Sequence, residues 1–109
     1  MERDRQRQVA TNEALVRDVN EAIERGQWPG EEDAPAAFRC ECARLDCNRL
    51  LELTPREYEQ IRLHPRRFVV APGHEAPEVE TVVIAKRAYC VVEKRGYAGE
   101  LAQQADPRG

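Results

Sequence analysis

Near the start of the chain, apolar residues recur every seven positions: Val9, Val16 and Ile23, with Val19 between them at helical spacing. Leu15 and Ala22 widen the stripe, and Gly26 is a natural stop. The pattern predicts one helix from about Arg3 to Gly26. Such a stripe suits a surface helix laid on its own domain, or a short seam for a second copy or a protein partner. Asn12 falls on that seam, where an amide weakens a coiled coil but can set its register.

The period changes downstream. Trp28-Pro29-Gly30 marks a turn, with Trp28 expected to pack on the helix end, and Glu31-Glu32-Asp33 reads as a solvated acidic run. Strands are expected at Phe38–Cys42 and Leu50–Leu53. Thr54-Pro55-Arg56-Glu57 then opens a second helix, with a hydroxyl N-cap, proline at the first helical position and glutamate three residues after the cap. Tyr58, Ile61 and Leu63 are expected to face inward, and Pro65 ends the helix. Phe68–Ala71 reads as a strand closed by Pro72-Gly73. Glu78–Ala85 and Tyr89–Glu93 read as a hairpin around Lys86-Arg87. Gly96 and Gly99 are expected to break structure, leaving a mobile tail.

The 109 residues fit one domain, but 34% are charged and only two Phe, one Trp and three Tyr are present to fill a core. A chain this poor in large apolar groups benefits from a covalent or metal staple. The net charge of −3 gives no overall pull toward nucleic acid or anionic lipid. No apolar run approaches a membrane span, and the polar start does not read as a secretion signal. The expected location is cytoplasmic, where clustered cysteines favour metal over disulfides.

The staple is suggested by Cys40-Glu41-Cys42-Ala43-Arg44-Leu45-Asp46-Cys47. Cys40 and Cys42, two apart on an extended backbone, share a face, and the turn after them returns Cys47. Three thiolates converging on one point suit a tetrahedral Zn2+ ion. His74, presented by the Pro72-Gly73 turn, is the favoured fourth ligand. Cys90 is the alternative, although its apolar neighbours Tyr89, Val91 and Val92 suit a buried free thiol; an all-cysteine set would make iron harder to distinguish from zinc. His64, before Pro65, suits a helix C-terminus better than a metal. Glu75, Glu78 and Glu80 read as a solvated loop.

These elements predict an α+β fold: a small antiparallel sheet with a zinc-binding cysteine turn, one short packed helix and a long N-terminal helix. The chain divides into an amphipathic helix (1–27), a linker (28–37), a zinc-stabilised domain (38–99) and a C-terminal tail (100–109).

Phe38-x-Cys40-x-Cys42, Cys47, Leu51-x-Leu53-Thr54-x-x-Glu57-Tyr58, Pro65-x-x-Phe68-x-Val70-x-Pro72-Gly73-His74 and Val91-Val92-Glu93-Lys94 form one pattern. Over most of its length the chain resembles a group of short bacterial proteins, mostly of actinobacterial type, with no assigned activity. The resemblance implies that Cys40, Cys42, Cys47 and His74 act together, and that Cys90 stands where an aliphatic residue is usual.

A site closed by four protein ligands leaves no position for a reacting water. The chain has no glycine-rich phosphate loop, no G-x-S-x-G and no zinc-deaminase pairing of His-x-Glu with Pro-Cys-x-x-Cys. The leading expectation is a non-enzymatic, zinc-stabilised interaction or regulatory protein that engages a partner or a second copy through its N-terminal helix. A nucleic-acid-binding zinc knuckle is one alternative, using Arg62, Arg66, Arg67, Lys86, Arg87, Lys94 and Arg95 on one face. A thiol-based redox or metal sensor is the other.

Overall fold

The computed structural model describes residues 2–106 and residue 108. The elements run α1 (Arg3–Arg25), β1 (Ala36–Arg39), β2 (Leu50–Leu53), α2 (Pro55–Arg62), β3 (Arg67–Val70), β4 (Glu80–Ala85), β5 (Cys90–Lys94) and α3 (Gly96–Gln104). The fold is α+β, but its strands form two antiparallel groups: a β1–β2 hairpin and a three-stranded sheet in the order β3-β5-β4. No helix among the described residues is long and apolar enough to cross a membrane.

β1 and β2 pair with Phe38 opposite Leu51, and the ladder stops at Arg39 opposite Leu50. The first strand is therefore shorter than expected. Past Arg39 the chain leaves β2 and meets the other sheet, where the Glu41 N–H donates to the Val69 carbonyl at 2.7 Å. α2 begins with the expected reciprocal cap: the Glu57 N–H donates to Thr54 Oγ1, and the Thr54 N–H donates to the Glu57 carboxylate. Leu63 caps the far end of α2 and is exposed, not inward. β4 and β5 form the expected hairpin, closed by the Lys86 N–H to the Tyr89 carbonyl.

Phe38, Leu51, Leu53, Tyr58, Ile61, Phe68 and Val69 through Ala71 pack with Val91 and Val92 into one core. Phe38 and Tyr58 stack with ring centroids 4.7 Å apart. Cys40 and Cys42 belong to this core, so the sulfur cluster extends the apolar interior.

Three further expectations need correction. α3 occupies Gly96–Gln104, where glycines suggested a break. Gly96 takes φ +55 at its start, and a Cβ on Gly99 would stand 2.9 Å from the Lys94 carbonyl oxygen, so both glycines serve the helix and its close packing. Trp28 does not cover the end of α1; it is 76% exposed beside a groove with Glu24 and Pro55. Glu80 is buried, not solvated.

α1 turns only part of its stripe inward. Val9 and Val16 are buried and Ile23 is partly so, while Val19 and Leu15 are 41% and 62% exposed. The rest of the buried face is polar: Glu13, Arg17, Asn20 and Glu21. Lys94 Nζ lies 2.9 Å from Glu13 and 2.6 Å from Glu80. Arg17 donates to the carbonyls of Pro65 and Arg67 and lies over the Phe68 ring. Glu21 pairs with Arg62 and Arg108. Glu13, Glu21 and Lys94 thus meet opposite charges, whereas Arg17 is held by two carbonyls and a ring, with its buried Nε left without a hydrogen bond.

Candidate metal centre

Three pieces of chain build the centre. The segment just after β1 carries Cys40 and Cys42, the following turn carries Cys47, and the turn after β3 carries His74. Gly73, with φ +87, supplies the left-handed backbone of that last turn, and the His74 N–H donates to the Ala71 carbonyl. The imidazole is thereby swung back over the cysteines.

The ligand atoms of Cys40, Cys42, Cys47 and His74 all lie within 4.8 Å of one another. His74 Nδ1 is 3.6 Å from Cys40 Sγ and 3.7 Å from Cys47 Sγ. In a tetrahedral site with bonds of about 2.3 Å to sulfur and about 2.0 Å to nitrogen, neighbouring ligand atoms stand about 3.5–3.8 Å apart. The two nitrogen–sulfur separations have that size. A cluster of three thiols and one imidazole gathered within this span could hold a metal ion.

The surroundings support negative charge on sulfur. The Ala71 N–H donates to Cys40 Sγ at 3.1 Å. Cys42 is drawn down to about 4, first by the hydrogen bond from Cys40, with the Arg44 backbone N–H, His74 and Cys47 adding to it against the cost of burial. Cys40 is pushed far up, by donating that bond and by burial. An ion bound by all three sulfurs would displace the protons that remain on them.

Glu41 holds this segment in place. Its side chain points away from the two cysteines that flank it and is fully buried. The carboxylate accepts from the Tyr58 hydroxyl at 2.6 Å, the Asn20 amide at 3.0 Å and the Val69 N–H at 3.0 Å. Asn20 also clasps the backbone of Arg39 through both its amide oxygen and its amide nitrogen. The cysteine segment is thus bolted to α1, α2 and β3. Sequence reasoning missed this role because a glutamate between two cysteines reads as surface; its alternation with two inward sulfurs on extended backbone was the available signal.

Arg44 was also missed. Its guanidinium donates to His74 Nε2 and to the Gly73 carbonyl, each at 3.3 Å. A guanidinium only donates, so Nε2 accepts, and the proton of a neutral ring then sits on Nδ1, facing the sulfurs. A metal held through Nδ1 would leave the ring proton on Nε2, and the Arg44 contact would then be lost.

The other candidates lie elsewhere. Cys90 is buried on β5, opposite Val70 on one side and Ala85 on the other, in the apolar core. His64 is exposed just past the end of α2. The basic residues considered for nucleic acid do not share a free face. Arg62 and Lys94 are buried in ion pairs, Arg67 meets Glu93, and Lys86 meets Glu57. The chain matches no protein-family model, no curated protein and no solved structure.

Proposed function

We propose that the protein is a non-enzymatic interaction or regulatory module whose fold is fixed by one Zn2+ ion bound to Cys40, Cys42, Cys47 and His74. The supporting observation is that the four ligand atoms lie within 4.8 Å of one another, so that one ion could draw four ligands from the protein alone. Zinc suits three sulfurs and one nitrogen at tetrahedral spacing. Such an ion would tie the hairpin to the three-stranded sheet and so supply stability that the small core lacks. The module engages a protein partner or a second copy through α1, in a cytoplasmic setting that keeps the thiols reduced.

The test is purification from cells followed by metal analysis and a pull-down, with a His74→Ala variant alongside. One zinc per chain, with both metal and partner reduced by the substitution, supports the reading. A chain that folds and recruits its partner equally well without metal overturns it. The exposure of Cys47 favours thiol-based sensing as a second reading, because it is the least buried of the three sulfurs and the one an oxidant reaches first. Zinc retained under mild peroxide would count against sensing.

A further inference from the structure

The structure gives α1 a second stripe that the body does not cover. Gln8, Asn12, Leu15, Val19 and Ala22 follow one another at spacings of four and three, and all are exposed or half-exposed. None is charged. The charged residues of the helix fall on the flanks, as with Arg7 and Asp18, or on the inward face. A shallow cavity of about 410 Å³ lies by Trp28 at the end of the helix, but the larger concavity, about 490 Å³, lies over this stripe. It is lined by Arg7, Gln8, Thr11, Asn12, Leu15 and Leu45. Leu45 is 47% exposed and sits on the turn between Cys42 and Cys47.

We propose that this stripe pairs in parallel, about a two-fold axis, with the same stripe of a second copy, and that the metal turn completes the seam through Leu45. The inference rests on the interaction-module reading above and names its partner. The occupant follows from the chemistry of the row. Alternating steps of four and three place Leu15 at a d position and Val19 at an a position, the combination that favours two parallel strands. Asn12 then falls at the preceding a position. Its amide has no partner among the described residues. Against an apolar partner, burial would strand its donor and acceptor; against the Asn12 of a second copy, each amide satisfies the other. The body packs on a different face of α1, through Val9, Glu13, Val16 and Asn20, so pairing does not require the helix to leave its domain.

Leu15 and Val19 provide only two apolar layers, so the dimer is weak, with a dissociation constant on the order of 100 µM. Leu45 links association to the metal, because its position depends on the turn that carries two of the ligands.

The test is sedimentation velocity of the full-length, zinc-loaded chain from about 10 µM to about 1 mM, a range that brackets that constant. A shift from monomer to dimer is expected. Leu15→Glu should weaken association more than tenfold. Leu45→Ala should weaken it severalfold with zinc content unchanged. Asn12→Val should tighten it or admit larger species. Ala88→Glu, exposed in the turn of the β4–β5 hairpin, should leave it unaltered. These positions are exposed or half-exposed, so the variants fold. A chain that stays monomeric at about 1 mM with one zinc bound overturns the second-copy inference and leaves the module reading standing. A dimer indifferent to Leu15→Glu overturns the seam. Absence of zinc from the folded chain strikes the reading beneath both.

Discussion

Replacing Glu41 with alanine tests how the metal segment is held. The substitution removes the acceptor for three buried donors: the Tyr58 hydroxyl, the Asn20 amide and the Val69 N–H. A buried donor left without a partner costs about 1–3 kcal/mol. Asn20 keeps its bond to the Arg39 carbonyl, and relief of the carboxylate's own desolvation offsets part of the loss. The net destabilisation should be about 3–5 kcal/mol, a large share of the roughly 5–15 kcal/mol that holds a domain of ordinary stability together. The segment that presents Cys40 and Cys42 loses its anchor to three elements, so zinc affinity should fall by about 10–100-fold. Urea unfolding followed by far-ultraviolet circular dichroism, at saturating zinc, reads the first quantity. Competition against a chromophoric chelator reads the second. A loss of less than about 1 kcal/mol with unchanged affinity would show that Glu41 does not anchor the segment, because those donors would then find other partners at no cost. Glu41→Gln keeps one acceptor oxygen and should fall between the two.

Glu13 is raised to about 7, mainly by burial, against the attraction of Lys94 and with Glu80 and Glu41 adding repulsion. The folded state therefore holds its proton more tightly than the unfolded chain. That contribution is complete below about pH 4.5 and disappears as pH rises through about 7. The stability of Glu13→Gln relative to the parent should thus increase across this window, read by urea unfolding of both zinc-loaded proteins; a pH-independent difference would contradict the assignment. Arg44→Gln should tighten zinc binding severalfold in a chelator competition, since a side-chain carbonyl can accept from the Nε2 proton that a guanidinium opposes; weaker binding would show that Arg44 helps to orient the ring. Cys90→Ala should cost about 1–2 kcal/mol through the lost sulfur packing and leave metal stoichiometry at one per chain; loss of the metal would make Cys90 a ligand.

Much of the scaffold could be read from residue order alone. α1 followed from valines at helical spacing, α2 from Thr54, Pro55 and Glu57, and the β4–β5 hairpin from two apolar runs. The cysteine spacing marked three of the clustered side chains, and the Pro72-Gly73 turn marked the fourth. What stayed hidden was long-range. Glu13, Arg17, Glu21 and Lys94 look like solvated charges because nothing local names their partners; Glu13 and Lys94 are 81 positions apart. The stripe read from Val9, Val16 and Ile23 is largely claimed by the body, and the outer row of Asn12, Leu15 and Val19 becomes distinguishable only once the inner face is known. α3 was lost because Gly96 and Gly99 read as breakers, whereas one supplies a left-handed start and the other a close approach to Arg66 and Lys94.

In the proposed reading, one zinc ion joins three sulfurs and one imidazole to hold the hairpin on the sheet. The most direct measurement is zinc-edge X-ray absorption on protein purified from cells without added metal. The expected result is one zinc per chain, with a shell of three sulfurs at about 2.3 Å and one nitrogen at about 2.0 Å. A folded protein without zinc, or a shell of four sulfurs or of several oxygens, would contradict it.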